Sequence, residues 1–309
     1  MTSSTEAIVN IQKMSKTYPG KTPVEAVKGI DLAVERGELF GLLGPNGAGK
    51  STTISVCTTR SLPTGGRVTI AGIDVVAHPA EARRFMGVVT QYNTLDRQCT
   101  VWENLYFHCR YFGLSHAHSA KKADELLELF KLTERKKSFV RELSGGLAQR
   151  VQIARAIAHD PEVLFLDEPS AGLDPQTRLA LWDIIRVLRE KGITIVLTTH
   201  YMDEAQHLAD RICVIAAGKV VAQGTPETLR AGTDQLTHIR FELPSGVVPS
   251  ALPLKVSVED GIAVIETATP TRTLSDLTTW AVAQGLELPN LEVARPSLED
   301  VYLELTKDE

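Results

Sequence analysis

The stretch Leu42-Leu43-Gly44-Pro45-Asn46-Gly47-Ala48-Gly49-Lys50-Ser51-Thr52 ("LLGPNGAGKST") decides how the rest of the chain is read. From Gly44 it fits G-x-x-x-x-G-K-[ST], the phosphate-binding loop. An apolar run, Leu39 to Leu43, precedes it, and the helical-looking "TTISVCTT" follows. The glycines let consecutive backbone N–H groups curl around an anion, and a helix starting near Lys50 adds its positive dipole end. In such a loop the lysine reaches the β- and γ-phosphates and the hydroxyl of Ser51 holds Mg²⁺. A plain Gly-rich turn between strand and helix has no need of a lysine followed by two hydroxyls.

Outward from this loop, strand and helix signals alternate. "AIVNIQKMSKTY" and "AVKGIDLAVERGELFGLL" carry β-branched and apolar residues broken by turn signals, and "GRVTIAGIDV" reads as a strand pair. The texture then becomes helical. Thr100 and Glu103 form a capping-box pattern, with Val101, Trp102, Leu105, Tyr106, Cys109 and Phe112 on one face. A second helix is expected over about 119 to 130, with Ala123, Leu126, Leu127 and Phe130 inward and His116 and His118 in the loop before it. Alternation resumes with "EVLFLDEPS", a helix N-capped by Asp174 with Pro175 at its first position and Gly192 just past its end, "GITIVLTTH" and "RICVIAAGKVV". The pattern is an α/β domain over residues 1–230 with a mostly helical insertion near 93 to 143. Residues 231–309 read as a small α+β unit. Strands are expected in "THIRFEL", "LKVSVE", "IAVIETA" and around 286 to 293, with helices near 273 to 284 and from Ser297.

Composition narrows the class. The chain has 309 residues, 43% hydrophobic and 23% charged, with a net charge of −5. Those values suit a water-facing globular protein and give no footing for nucleic acid. The basic run at Arg135-Lys136-Lys137 reads as a solvated helix end. No secretory signal is expected from "MTSSTEAIVNIQKMSK", and no run approaches the ~18 apolar residues of a membrane span. The four cysteines (Cys57, Cys99, Cys109, Cys213) lack metal-ligand or redox spacing and are expected as reduced thiols in a cytoplasmic protein.

Two carboxylates end the apolar strand Val163-Leu164-Phe165-Leu166. Asp167 is placed to orient Mg²⁺, and Glu168 to align and polarise an attacking water as general base. Downstream of the loop, Ser144-Gly145-Gly146 opens a helix rich in small residues (Ala148, Ala154, Ala156, Ala158), offering a hydroxyl and two bare amides as a second anion site. Within one molecule that site is redundant; between two copies meeting head to tail it is not.

Taken together these residues resemble the ATP-binding cassette (ABC) ATPase family over about residues 7 to 230. Gly44, Pro45, Asn46, Gly47, Ala48, Gly49, Lys50, Ser51 and Thr52 match its Walker A loop, Val163 to Glu168 its Walker B strand, and Leu143-Ser144-Gly145-Gly146 its signature. Gln91 matches the Q-loop, Ser170 to Pro175 the D-loop, and His200 the switch histidine. Ser144 follows Lys50 by 94 residues, Asp167 follows Ser144 by 23, and His200 follows Glu168 by 32, all in the family's order. Leu147-Ala148 stands where the family often has a polar or basic residue before Gln149.

The resemblance implies ATP and Mg²⁺ as ligands. It implies that Gln91 contacts the metal or the attacking water, that His200 hydrogen-bonds the γ-phosphate and orients Glu168, and that Asp174 lies at a dimer seam. It implies that Tyr18 stacks on adenine; beside Pro19-Gly20 it also suits a plain turn. "TTHYMDEA", "LDRQCTVWENLYFHCRYFG" and the tail "PSLEDVYLELT" are similar to the ABC type 2 exporters. That implies a separate integral membrane permease, a second copy of the cassette, and a peripheral position on the cytoplasmic face of the membrane. Trp102, Tyr106 and Phe107 would then line a permease groove, with core packing as their competing use. An ABC importer ATPase, and a soluble ABC protein acting on ribosomes or DNA, are the alternatives.

Overall fold

A computed structural model describes residues 7–231, 236–244, 246–259 and 261–294. From the N-terminal side the elements run β1 (Val9–Tyr18), β2 (Val24–Val34), β3 (Leu39–Leu43), α1 (Lys50–Cys57), β4 (Gly65–Ile70), β5 (Ile73–Asp74), α2 (Pro79–Ala82), β6 (Met86–Val89), α3 (Val101–Tyr111) and α4 (His116–Leu129). They continue as α5 (Gly145–Ala156), β7 (Val163–Asp167), α6 (Pro175–Glu190), β8 (Thr194–Thr199), α7 (Met202–Leu208), β9 (Arg211–Ala216) and β10 (Lys219–Gly224).

Two sheets are built from these strands. One is antiparallel, in the order β2-β1-β4-β5. The other has the order β10-β9-β3-β8-β7-β6 and is parallel apart from β10. β3, β7 and β8 are buried along their whole length, as strands covered on both faces must be. One core joins the two sheets: Val9, Ile11, Met14, Ile30 and Val68 from the first cluster with Phe40, Leu42, Phe165 and Val196 from the second. The β1–β2 register slips between Ile11 and Met14, and Lys13 takes a φ of 48°. The extra residue lets Met14 stay inward.

The expected helical insertion is present. Thr100 and Glu103 close both arms of the capping box, Thr100 N–H donating to Glu103 Oε2 (2.7 Å) and Glu103 N–H to Thr100 Oγ1 (3.2 Å), a cap of about 1 kcal/mol. Leu105 and Cys109 of α3 and Ala123, Leu126 and Leu127 of α4 are buried with Phe130. Burying each leucine contributes roughly 1.5–3 kcal/mol. Trp102 and Tyr106 are only half-buried; they stack on each other, and Trp102 Nε1 donates to Asp124. One expectation is corrected here. α4 begins at His116, capped by Ser115 through the His118 amide, so both histidines lie in the first helical turn and not in a loop.

Contacts divide the chain into two units, Met1–Thr225 and Pro226–Glu309. The second contains α8 (Pro226–Ala231), β11 (Thr237–Glu242), β12 (Ser257–Glu259), β13 (Ile262–Thr267), α9 (Pro270–Ala283) and β14 (Glu292–Ala294). Its antiparallel sheet, β12-β13-β11-β14, shares a core of Ile239, Phe241, Leu252, Ala263, Ile265 and Leu277 with α9. Of the strand expected around 286 to 293, only Glu292 and Val293 fall in β14, because Gly285 and Asn290 both turn at positive φ and Pro289 has no amide to pair. The helix expected from Ser297 lies outside the described residues.

Candidate functional site

The loop after β3 can only be built with glycine at its two ends. A Cβ on Gly44 would stand 2.1 Å from the Ile215 carbonyl oxygen. A Cβ on Gly49, where φ is 108°, would stand 2.5 Å from that of Ala26. The chain therefore passes tightly between neighbouring strands and enters α1 with no side-chain cap and no acid in its first turn. Its opening amides are left for an anion, with the helix dipole behind them.

Lys50 is buried at the start of α1. Its Nζ donates to the Gly44 and Pro45 carbonyls at 2.7 and 3.0 Å and lies 3.7 Å from Glu168 Oε1. Burial lowers its pKa, and the charges of Glu168 and then Asp167 oppose that shift. An ammonium folded back over the loop in this way keeps the loop curled around the space a phosphate needs.

The carboxylates at the end of β7 differ in role because they differ in setting. Asp167 is buried, and its Oδ1 accepts from Ser51 Oγ (2.9 Å) and Thr198 Oγ1 (2.7 Å). Ser51 and Asp167 supply two hard oxygens side by side, the donor chemistry Mg²⁺ takes from proteins when phosphates complete its shell. Glu168 turns the chain at φ 49°, a left-handed conformation that costs a non-glycine residue about 1–2 kcal/mol. Its N–H is held by the Thr198 carbonyl (3.1 Å) and by Thr198 Oγ1 (3.0 Å). The turn aims its carboxylate into a cleft of about 600 Å³ lined by Tyr18, residues 45–52, Gln91, Ala171 and His200. There His200 Nδ1 lies 3.4 Å from Glu168 Oε1, and Gln91 Nε2 donates to Glu168 Oε2 at 3.4 Å. Tyr18 lines the same cleft and stays exposed, with Lys16 Nζ 4.9 Å from its ring centre.

The tertiary structure thus gathers Tyr18, Pro45 to Thr52, Gln91, Asp167, Glu168 and His200 around one space. It does not bring Ser144, Gly145, Gly146 or Asp174 there. Ser144 caps α5 through the Leu147 amide and is exposed, as is Gly145. Asp174 is exposed and caps α6, accepting from Thr177 N (2.9 Å) and Oγ1 (2.6 Å), which holds its carboxyl below the usual range. Thr198 is the residue the motifs leave out. It sits two positions before His200 on a buried strand, and only the pairing of β7 with β8 puts its hydroxyl between both acids.

Residues 27–171 match the ABC transporter family, and residues 237–297 match the C-terminal domain of ABC transporter domain-containing protein-like chains. The chain is 37% identical over 310 residues to the daunorubicin resistance ATP-binding protein DrrA3 of Streptomyces coeruleorubidus, covering 98% of this chain and 97% of that one. The chain belongs to the ABC transporter family.

This ABC-transporter ATPase is also 39% identical over 306 residues to the Nod factor export ATP-binding protein I of Cupriavidus pinatubonensis, covering 97% and 91% of the two chains. Among solved structures, a dimeric ATP-binding cassette in a post-hydrolysis state bound to ADP and Pi superposes with a TM-score of 0.65 at 29% identity, over 70% of this chain and 98% of that one. The cassette cbiO1 of Clostridium perfringens, part of an ABC transporter complex, gives 0.67 at 29% identity, over 73% and 91%. Among the described residues of the ABC ATPase no helix is long and apolar enough to cross a membrane.

Proposed function

We propose that this ATPase is the energy-supplying subunit of an exporter, working as a head-to-tail dimer against a separate integral membrane permease at the cytoplasmic face. The observation that carries the reading is the convergence of Lys50, Gln91 and His200 on the Glu168 carboxylate, beside the Ser51–Asp167 pair. The names of the relatives, one for drug resistance and one for Nod factor export, favour outward transport.

In this reading the loop amides of Gly44 to Gly49, with Thr52 beside them, cradle the phosphates of ATP, Lys50 binds the β- and γ-phosphates, and Tyr18 stacks on the adenine. Ser51, Asp167 and Gln91 hold Mg²⁺, which when bound neutralises charge on the transferring phosphoryl group. Glu168 takes the proton of the attacking water, and His200 orients Glu168 while hydrogen-bonding the γ-phosphate. Ser144, Gly145 and Gly146 of a second copy complete the phosphate shell, with Asp174 at the seam. The exposure of Ser144, Gly145 and Asp174 away from the cleft in a single chain suits that use. Closing and reopening of the dimer is a two-state equilibrium that bound γ-phosphate biases. The second unit serves as an accessory to the cassette.

Glu168→Gln keeps the shape and removes the base. ATP binding is expected to persist while turnover falls by roughly 10²–10⁴-fold, with the ATP-bound dimer accumulating on size exclusion. Near-normal hydrolysis by this variant would remove Glu168 from the role. Pull-down of the tagged full chain from mildly solubilised membranes is expected to recover a multi-span membrane protein; recovery with ribosomes, or alone, would sink the exporter.

A further inference from the structure

Among the described residues, six buried side-chain polar atoms have no hydrogen-bond partner, among them Ser170 Oγ, Arg178 Nε, His200 Nδ1 and Glu204 Oε2. Unsatisfied buried groups are costly and call for a functional account. Glu204, on α7, is the most demanding of the four because its carboxyl is fully buried. One oxygen is anchored: Oε1 accepts from Trp182 Nε1 of α6 at 2.9 Å. Burial raises the Glu204 pKa; the hydroxyls of Thr199 and Ser170, near enough to oppose that rise, leave Oε2 and Ser170 Oγ without a closed bond to each other.

Those neighbours are informative. Ser170 lies two residues past Glu168, buried at the head of the segment that runs to the exposed Asp174. Thr199 immediately precedes His200, and its Oγ1 accepts from the Tyr201 amide at 3.0 Å. Arg178 stacks its guanidinium 4.6 Å over the Tyr201 ring, and Tyr201 packs in turn on His200 at 4.1 Å. One carboxyl therefore touches the helix after Asp174, the loop after Glu168 and the strand end that carries His200.

We propose that Glu204 is a positioning residue for hydrolysis: its free Oε2 accepts a hydrogen bond from Ser170 Oγ when the 170–175 segment is engaged, and this bond holds Glu168 and His200 in register. With Oε1 fixed on Trp182, a small shift of Ser170 makes or breaks the bond, so the pair has two discrete states. The inference rests on the proposed roles of Glu168 and His200.

The test is steady-state ATPase kinetics of the full-length chain and its variants Ser170→Ala, Glu204→Gln, Glu204→Leu and Ser170→Ala/Glu204→Leu, with Glu168→Gln as control. Ser170→Ala and Glu204→Leu are each expected to lower kcat about tenfold with KM for ATP unchanged, and the double variant to be no worse than either. Glu204→Gln, which keeps the shape and can still bond both Trp182 and Ser170, is expected to retain most of kcat. Wild-type kcat in Ser170→Ala overturns the proposal, as do additive losses in the double variant or a loss expressed in KM. If Glu204→Leu fails to fold, Ser170→Ala decides alone on the same two outcomes. Loss of turnover in Glu168→Gln alongside a silent Ser170→Ala sinks this inference only; retained turnover in Glu168→Gln sinks the site reading on which it rests.

Discussion

Replacing Thr198 by valine exchanges one hydroxyl for a methyl of nearly the same size at a fully buried position. The hydroxyl has two jobs. It donates to Asp167 Oδ1 at 2.7 Å, and it accepts from the Glu168 amide at 3.0 Å. The second loss is partly covered, since that amide keeps the Thr198 carbonyl at 3.1 Å. The first is not, since Asp167 Oδ1 then keeps only Ser51 Oγ, the group expected to turn toward a metal. A hydrogen bond to a charged acceptor contributes about 1.5–3 kcal/mol, so a loss of about 2 kcal/mol is expected. For a unit of this size that lowers Tm by about 4–8 °C. Loosening a residue that orients a metal ligand weakens the metal by roughly 10–100-fold, so about tenfold more Mg²⁺ should be needed for half-maximal thermal stabilisation by ATP. Differential scanning fluorimetry across a Mg²⁺ series at fixed ATP measures both. A Tm within about 1 °C of wild type and an unshifted Mg²⁺ midpoint would refute the placement of Thr198 between the two acids.

The two glycines of the signature should separate by experiment. A Cβ on Gly146 would meet Thr177 Cγ2 at 2.2 Å, so Gly146→Ala is expected to lower Tm; nothing lies within 4 Å of a Cβ on Gly145, so Gly145→Ala should leave Tm intact and impair only turnover that needs a second copy. Equal Tm losses in the two variants would contradict this. His108 is held neutral, its pKa pushed down to about 3 by burial first and then by the charges of Arg155 and His159. Its folded pKa lies below its unfolded one, so the stability it contributes is present above pH ~6.5 and is lost as pH falls toward the folded value. Between pH 7 and 5.5 this one group costs the fold about 1.2 kcal/mol. Urea denaturation of His108→Phe should show a pH dependence flatter by that amount, and an unchanged slope would count against a neutral buried imidazole.

Much of this protein was legible in the order of its residues. Gly44, Gly49, Lys50 and Ser51 are local chemistry: a loop that curls around a phosphate needs those types at those spacings, whatever surrounds it. Thr100 with Glu103, Asp174 with Pro175, and the buried faces of α3 and α4 follow from caps and periodicity, which act within a few residues. Even where α4 begins earlier than expected, the reason is local: Ser115 caps it through the His118 amide. Tertiary structure alone decided the rest, because its contacts join residues far apart in sequence. Thr198 lies between Asp167 and Glu168 through strand pairing, and the left-handed turn at Glu168 is tolerated because that strand holds its amide twice. Ser144 and Asp174 stand apart from the cleft, although the motifs group them with it. Glu204 looks like a helix-surface acid in "HYMDEA", yet packing buries it whole against Trp182, since a short amphipathic helix can read either face as inside until a sheet is laid beneath it.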